Sequence, residues 1–218
     1  RAIPAVKNNS FDYVTRVFSD PAQVPREAWN ALLAAEAEPT PFMPHEYLCA
    51  LHASGRATPR PAWTPAFLTL WRGGELQAAC ALYRKDHSYG EYVFDWAWAN
   101  AYEQHGLAYY PKGLVAVPFT PVPGARLLAR DAQARQALVQ ALVAWCREEG
   151  LSSLHLLFLS EADAAACEAE GLMARSTVQF HWENAGYADF DAFLATLAQD
   201  KRKKIRQERR KVAGAGVG

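Results

Sequence analysis

The 218-residue chain has no CxxC pair; its four cysteines, Cys49, Cys80, Cys146 and Cys167, are scattered singly. That excludes a zinc knuckle and a dithiol redox motif, and leaves reduced, buried thiols in a cytoplasmic protein as the expectation. No apolar run approaches the roughly 20 residues that span a bilayer, and no signal-peptide pattern opens the chain. His45, His52, His105 and His155 share no ligand-like spacing with any cysteine or acid, so no metal is expected. Internal repeats and low-complexity segments are also missing. So is net charge, which is formally zero.

Half of the residues are hydrophobic, enough for one substantial α/β core. The zero charge hides an asymmetry. Eight basic residues and one acid lie between Lys201 and Lys211, leaving 15 basic against 22 acidic groups in the rest of the chain. Such a split points to an anionic partner for the basic helix; the alternative is a solvated helix folded back on the acidic body. With no initiating methionine, and a stop just after that helix, the chain reads as a fragment of a longer protein.

Residues 11–18 read as a strand. Asp20, Pro21 and Pro25 then open a helix with Trp29, Leu32 and Leu33 inward. A second helix starts at Pro44, places Tyr47, Leu48 and Leu51 on one face and stops at Gly55. Strands over 66–71 and 75–84 flank a Gly73-Gly74 hairpin turn. Residues 114–117 suit a buried central strand, which three prolines, Pro118, Pro121 and Pro123, then break. An amphipathic helix is expected over 131–148, a strand over 153–159, a short helix over 161–170 and a strand over 173–182. A helix from about Asp189 to Leu197 precedes the basic helix. This alternation predicts a mixed sheet with helices on both faces.

The stretch His87-Ser88-Tyr89-Gly90-Glu91-Tyr92-Val93-Phe94-Asp95-Trp96-Ala97-Trp98 stands apart. As a strand it presents Tyr92, Phe94, Trp96 and Trp98 on one face, the wall of a small-molecule pocket. A helix from Asp95, with that residue as N-cap, is equally open. General acid–base chemistry needs one group that takes a proton and one that gives it back. Glu91 and Asp95 are the candidate bases, their pKa values raised by burial beside the rings, and His87 titrates near neutrality. Tyr89 or Tyr110 can supply a proton. The plainer roles are a helix cap for Asp95 and a solvated carboxylate for Glu91. Lys112 and Thr120 flank the central strand where ligands collect in open α/β sheets; the alternative for Lys112 is a surface lysine. His181, between Phe180 and Trp182, is a substrate contact or a hydrogen-bonded structural histidine.

Several strings carry a resemblance. They are His87 through Trp96, Tyr110-Pro111-Lys112 with Val117-Pro118-Phe119-Thr120-Pro121-Val122, Gln179-Phe180-His181-Trp182, and Gly186-Tyr187-Ala188-Asp189-Phe190 with Lys201-Arg202-Lys203-Lys204. The chain resembles the FemAB-like predicted N-acyltransferases of peptidoglycan biosynthesis/recognition, a bacterial family of GNAT type. The resemblance implies a GNAT-like, mostly antiparallel mixed sheet flanked by helices, with a C-terminal basic helix. Residues 1–199 would form the first GNAT-like domain and 200–218 would open a second. The implied activity is acyl or aminoacyl transfer to an amine, such as that of a cell-wall precursor, with this half binding the acceptor. Tyr92, Phe94, Trp96, Tyr110, Lys112, Thr120 and His181 would contact it. No tightly bound cofactor is implied; the donor would be an acyl-CoA or an aminoacyl-tRNA, held mainly by the second half. Lys201, Lys203, Lys204, Arg206, Arg209 and Arg210 would meet the phosphates of a tRNA. GNAT enzymes cradle a CoA pyrophosphate on backbone N–H groups of a turn between strand and helix. Here that turn is the proline-rich stretch from Pro118 to Arg126, and proline lacks the donor. The rival reading is a GNAT-like module that binds a peptidoglycan peptide or nucleic acid without catalysis.

Overall fold

A computed structural model describes residues 12–216. Residues 1–11, which include Phe11 of the first expected strand, and residues 217–218 lie outside the described residues. The chain divides into two compact units, one through Ala174 and one from Arg175.

The first unit begins with β1 (Val14–Phe18), α1 (Arg26–Ala35) and α2 (His45–Ala53). Next come β2 (Thr64–Pro65), β3 (Phe67–Arg72), β4 (Glu75–Cys80), β5 (Leu82–Lys85), α3 (Trp96–Gln104) and β6 (Lys112–Val115). The unit closes with β7 (Leu128–Ala129), α4 (Ala132–Glu148), β8 (Leu154–Leu156) and α5 (Glu161–Ala169). The strands form two four-stranded sheets, ordered β1-β3-β4-β7 and β2-β5-β6-β8, in which only the β6–β8 pair is parallel. β4 and β5 are one long run interrupted at Ala81, so a single segment serves both sheets.

Gly73 and Gly74, both at positive φ, make the expected hairpin turn, whose left-handed residues match the twist of the flanking strands. A bulge between Leu70 and Trp71 leaves Gln77 unpaired in the register and re-aims the side chains. Leu70 and Ala78 therefore face α4, while Trp71 and Leu76 face α1 and α2. Each sheet face carries its own core. One packs Leu68, Leu82 and Val115 on Leu138, Leu142 and Trp145; the other packs Phe67, Tyr83 and Leu114 on Trp29, Met43 and Trp63. Gly113 lets β6 approach α4 closely, since a Cβ there would lie 2.6 Å from Cys146 Sγ. The architecture is a mixed α/β fold of mostly antiparallel sheets flanked by helices, as the alternation predicted.

Two expectations need correction. The aromatic stretch is not a strand: residues 88–95 form a turn and α3 starts at Trp96. In an extended segment Glu91 and Asp95 would stand about 13 Å apart, yet both carboxylates reach the same ammonium. A positive φ at Tyr92 makes the fold-back. Residues 173–182 also form no strand: among the described residues, the segment belongs to neither sheet. Val178, Phe180 and Trp182 are exposed, and so are the residues between them, so the alternation separates no faces.

In the second unit, α6 (Phe190–Ala195) is capped by Asp189, whose side chain accepts from Ala192 N. The basic helix is α7 (Gln199–Gly214). Trp182, Tyr187 and Phe193 pack together, Arg202 donates to the Ala195 and Leu197 carbonyls, and Arg206 pairs with Asp191 at 3.2 Å.

Candidate functional site

β5 ends on Lys85 and β6 begins on Lys112, in direct register with it, and both lysines are fully buried. Like charges opposite one another are destabilising, so this end of the sheet requires anions. The excursion between the two strands supplies them. Lys112 Nζ donates to Glu91 Oε2 at 2.8 Å, to Asp95 Oδ2 at 2.7 Å and to Ser88 Oγ at 2.8 Å. Lys85 Nζ donates to the Tyr89 carbonyl at 3.1 Å and sits 3.8 Å from the centre of the Trp63 ring.

Asp95 Oδ2 also accepts from Ser88 Oγ (2.7 Å) and from the Tyr109 hydroxyl (2.8 Å). Ser88 thus spends its proton on Asp95, and the Tyr110 hydroxyl, 2.8 Å away, donates to Ser88 Oγ. Tyr110 is half-buried and the rest of this chain is buried, so it leads inward from Tyr110 to a charged pair. Glu91 Oε1 and Asp95 Oδ1 are buried without a hydrogen-bond partner.

The electrostatics separate the two carboxylates. Burial raises Glu91 above its ordinary value, and Lys112 offsets this only in part. Burial also opposes ionisation of Asp95, but its bonds to Lys112 and Ser88 prevail and hold it below the ordinary 3.8. The expectation that both would be raised fails for Asp95, because three donors converge on one oxygen. Burial pushes the Lys85 ammonium down, to about 8, with Glu91 opposing the shift. Burial, then the bond to Asp95, pushes the Tyr109 hydroxyl up.

These shifts fix a pH dependence. A depressed Asp95 contributes stability that is present above its ordinary 3.8 and lost as pH falls through its lower folded value. Glu91 has the opposite sign: its contribution is present below the ordinary 4.5 and is lost as pH rises through its raised folded value. The wild-type protein is expected to lose stability below about pH 4 more steeply than Asp95→Asn, as read from urea midpoints across an acid series.

The other expected residues fall around this cluster or away from it. Glu91 is buried rather than solvated, and Lys112 is no surface lysine: the carboxylates it meets are the chain's own. Asp95 occupies the N-cap position of α3, but its side chain makes no cap bond. The rings of Tyr92, Phe94 and Trp96 are exposed, as is that of Tyr89. His87 is half-buried, accepts from Tyr89 N at Nδ1, and is shifted down by burial and then by Lys85. Thr120 Oγ1 donates to the Pro118 carbonyl and lies 3.5 Å from the Tyr47 hydroxyl. The aromatic stretch and the proline-rich turn do touch. Phe119 N donates to the Gly90 carbonyl at 3.1 Å, and a Cβ on Gly90 would lie 2.5 Å from the Phe119 ring. His181 is exposed and lies in the second unit, as does α7. There Lys201, Lys203 and Arg210 are exposed, Lys204 lies 3.9 Å from Glu208, and Arg209 packs over the Phe190 ring.

Lys85, Ser88 and Tyr109 were not singled out from the sequence. One signal existed: Lys85 continues the inward parity of Tyr83 on β5.

The turn after β6 is filled from within. Asp163 Oδ2 accepts from the backbone N–H of Arg126 (2.6 Å) and Leu127 (3.0 Å), and its other oxygen lies 3.0 Å from Arg135 Nε. Burial raises the Asp163 carboxyl against the pull of those donors. The Arg126 guanidinium is buried and donates to the Val122 and Ala125 carbonyls, and burial lowers it to about 10. At the start of α4, Asp131 accepts from Ala134 N. A carboxylate thus takes the donors that a pyrophosphate would use, and a second one caps the helix. These residues do not fit a CoA held in the usual GNAT manner. Among the described residues, no group of three or more His, Cys, Asp or Glu is placed to hold a metal ion, and no helix is long and apolar enough to cross a membrane.

Fold and site together define a mixed α/β domain in which a buried cluster of lysines and carboxylates anchors a turn of exposed rings. The chain belongs to the FemAB-like family, described as peptidoglycan biosynthesis/recognition, whose model matches residues 20–218. No protein of curated function matches it. Among solved structures it is similar to a Trypanosoma brucei acetyltransferase, with 16% identity and a TM-score of 0.43, covering 79% of this chain and all of that one. A point mutant of a Thermus thermophilus protein gives 15% identity and a TM-score of 0.37, covering 74% of this chain and 95% of that one.

Proposed function

We propose that this chain serves an N-acyltransferase that moves an acyl or aminoacyl group onto an amine of a peptidoglycan precursor, and that this half holds the acceptor. Membership of the FemAB-like family supports the chemistry and the substrate class. The observation that carries the reading is the directed chain from the half-buried Tyr110 through Ser88 to the Lys112–Glu91–Asp95 cluster. In the transfer a C–N bond forms to the acyl carbonyl and the bond to the leaving group breaks. The proton shed by the nitrogen must end on that leaving group. Tyr110 can take this proton while passing its own to Ser88, and can return it to the departing oxygen or sulfur. Ser88 in turn aims its own proton at Asp95 Oδ2, which is the transient acceptor at the end of the chain. Lys112 donates to Ser88, Glu91 and Asp95 alike, so it takes no proton from Ser88; it orients the chain, and its charge keeps Asp95 ready to return the proton to Tyr110 by the same route.

The internal filling of the turn after β6 favours aminoacyl-tRNA over acyl-CoA as the donor. The exposed cations Lys201, Lys203 and Arg210 of α7 suit its phosphates. The test is transfer of a labelled amino acid from charged tRNA to a cell-wall precursor peptide by the full-length protein. Tyr110→Phe is expected to lower the rate by roughly 10²–10⁴-fold with an unchanged melting temperature. Full activity in both Tyr110→Phe and Asp95→Asn would reduce this half to a recognition module.

A further inference from the structure

Four rings of the turn and the start of α3 point away from the core: Tyr89 is 67%, Tyr92 60%, Phe94 87% and Trp96 53% exposed. Exposed aromatic surface of this density marks an interaction site. Its backbone is pinned. Glu91 and Asp95, on either side of residues 92–94, are both bound to Lys112, and Tyr92 is held at a positive φ. The rings do not interdigitate; within the group only Tyr89 and Trp96 approach, at 6.0 Å between centres. The shelf is pre-organised and open.

Its chemistry narrows the occupant. Single-stranded nucleic acid needs a basic groove beside stacking rings, and an anionic membrane needs surplus lysine or arginine. Here Arg84 is paired with Asp86 at 3.4 Å, Lys85 is buried, and Glu103 is exposed on α3. From Tyr89 to Trp98 no exposed residue carries a charge, since Glu91 and Asp95 are buried. A flat, uncharged partner with C–H faces and hydroxyl edges fits such a surface, and pyranose rings have that form. From this geometry we infer that the shelf of Tyr89, Tyr92, Phe94 and Trp96 binds the sugar rings of a neutral N-acetylated glycan, a subsite for the saccharide part of the acceptor. The assignment rests on the acceptor reading above.

The test titrates the full-length protein with a tetramer of N-acetylglucosamine, followed by tryptophan fluorescence and calorimetry. The expected result is saturable binding that weakens at least tenfold in Phe94→Ala/Trp96→Ala, with an unchanged melting temperature because both side chains lie outside the core. No binding by the wild type, or equal binding by the variant, overturns the inference. So does a change in oligomeric state of the variant by sedimentation, which would make the shelf a contact between copies. Loss of binding to neutral lipid vesicles in the variant, without glycan binding by the wild type, also overturns it. Transfer to a sugar-free acceptor peptide reads the function separately: glycan binding without any transfer removes the acyltransferase reading alone, and transfer without glycan binding removes the subsite alone.

Discussion

Lys112→Ala is expected to destabilise the first unit by about 3–5 kcal/mol, the range for breaking a buried ion pair by removing one partner. Lys112 is fully buried, and its ammonium is the common partner of Glu91, Asp95 and Ser88. Without it two carboxylates remain in the interior, each already carrying one oxygen with no partner. The opposing Lys85 does not substitute, because its donor is directed at the Tyr89 carbonyl. The loss should appear as a large fall in the urea midpoint with an unchanged slope. Combining Lys112→Met with Glu91→Gln and Asp95→Asn should recover much of it, since no unpaired charge is then left behind. A loss below about 1 kcal/mol for Lys112→Ala would mean that the carboxylates reach water, and the buried cluster would be wrong.

Asp163→Ala should be the next most damaging change. It orphans the N–H groups of Arg126 and Leu127, at about 1–3 kcal/mol for each buried donor. It also leaves Arg135 with Glu36 as its remaining carboxylate contact among those described. Asp163→Asn keeps an acceptor oxygen for the two donors and is expected to cost clearly less. Chemical denaturation of the two variants side by side decides the matter. Equal losses would place the stabilisation in the charge facing Arg135 instead of in the two backbone bonds.

Legibility in the sequence followed how local the deciding interactions are. The hairpin at Gly73-Gly74, the helix over Ala132–Glu148 with its Asp131 cap, and the buried strand at Lys112–Val115 are set by turn chemistry and periodicity. The aromatic stretch misled because its alternation is real but answers to a long-range demand. A lysine 17 residues beyond Asp95 draws both carboxylates to one point and curls the chain between them. The identities of Glu91, Asp95, Tyr110 and Lys112 as a group were visible; their convergence was not. Asp163 was invisible for the same reason, since nothing near it in sequence announces the turn that it fills, 37 residues upstream. The strand expected over residues 173–182 shows the converse: the local pattern is there in the sequence, but among the described residues the segment joins neither sheet.

The register that sets Lys85 against Lys112 has a consequence for how this family can vary. A relative that lost Lys112 would strand Glu91 and Asp95, and one that lost a carboxylate would leave the two facing cations with less charge to offset them. The positions of Lys85, Glu91, Asp95 and Lys112 should therefore be inherited as a single quartet, replaced together or retained together. A relative that carries only part of the set is expected to be less stable, whatever chemistry it performs.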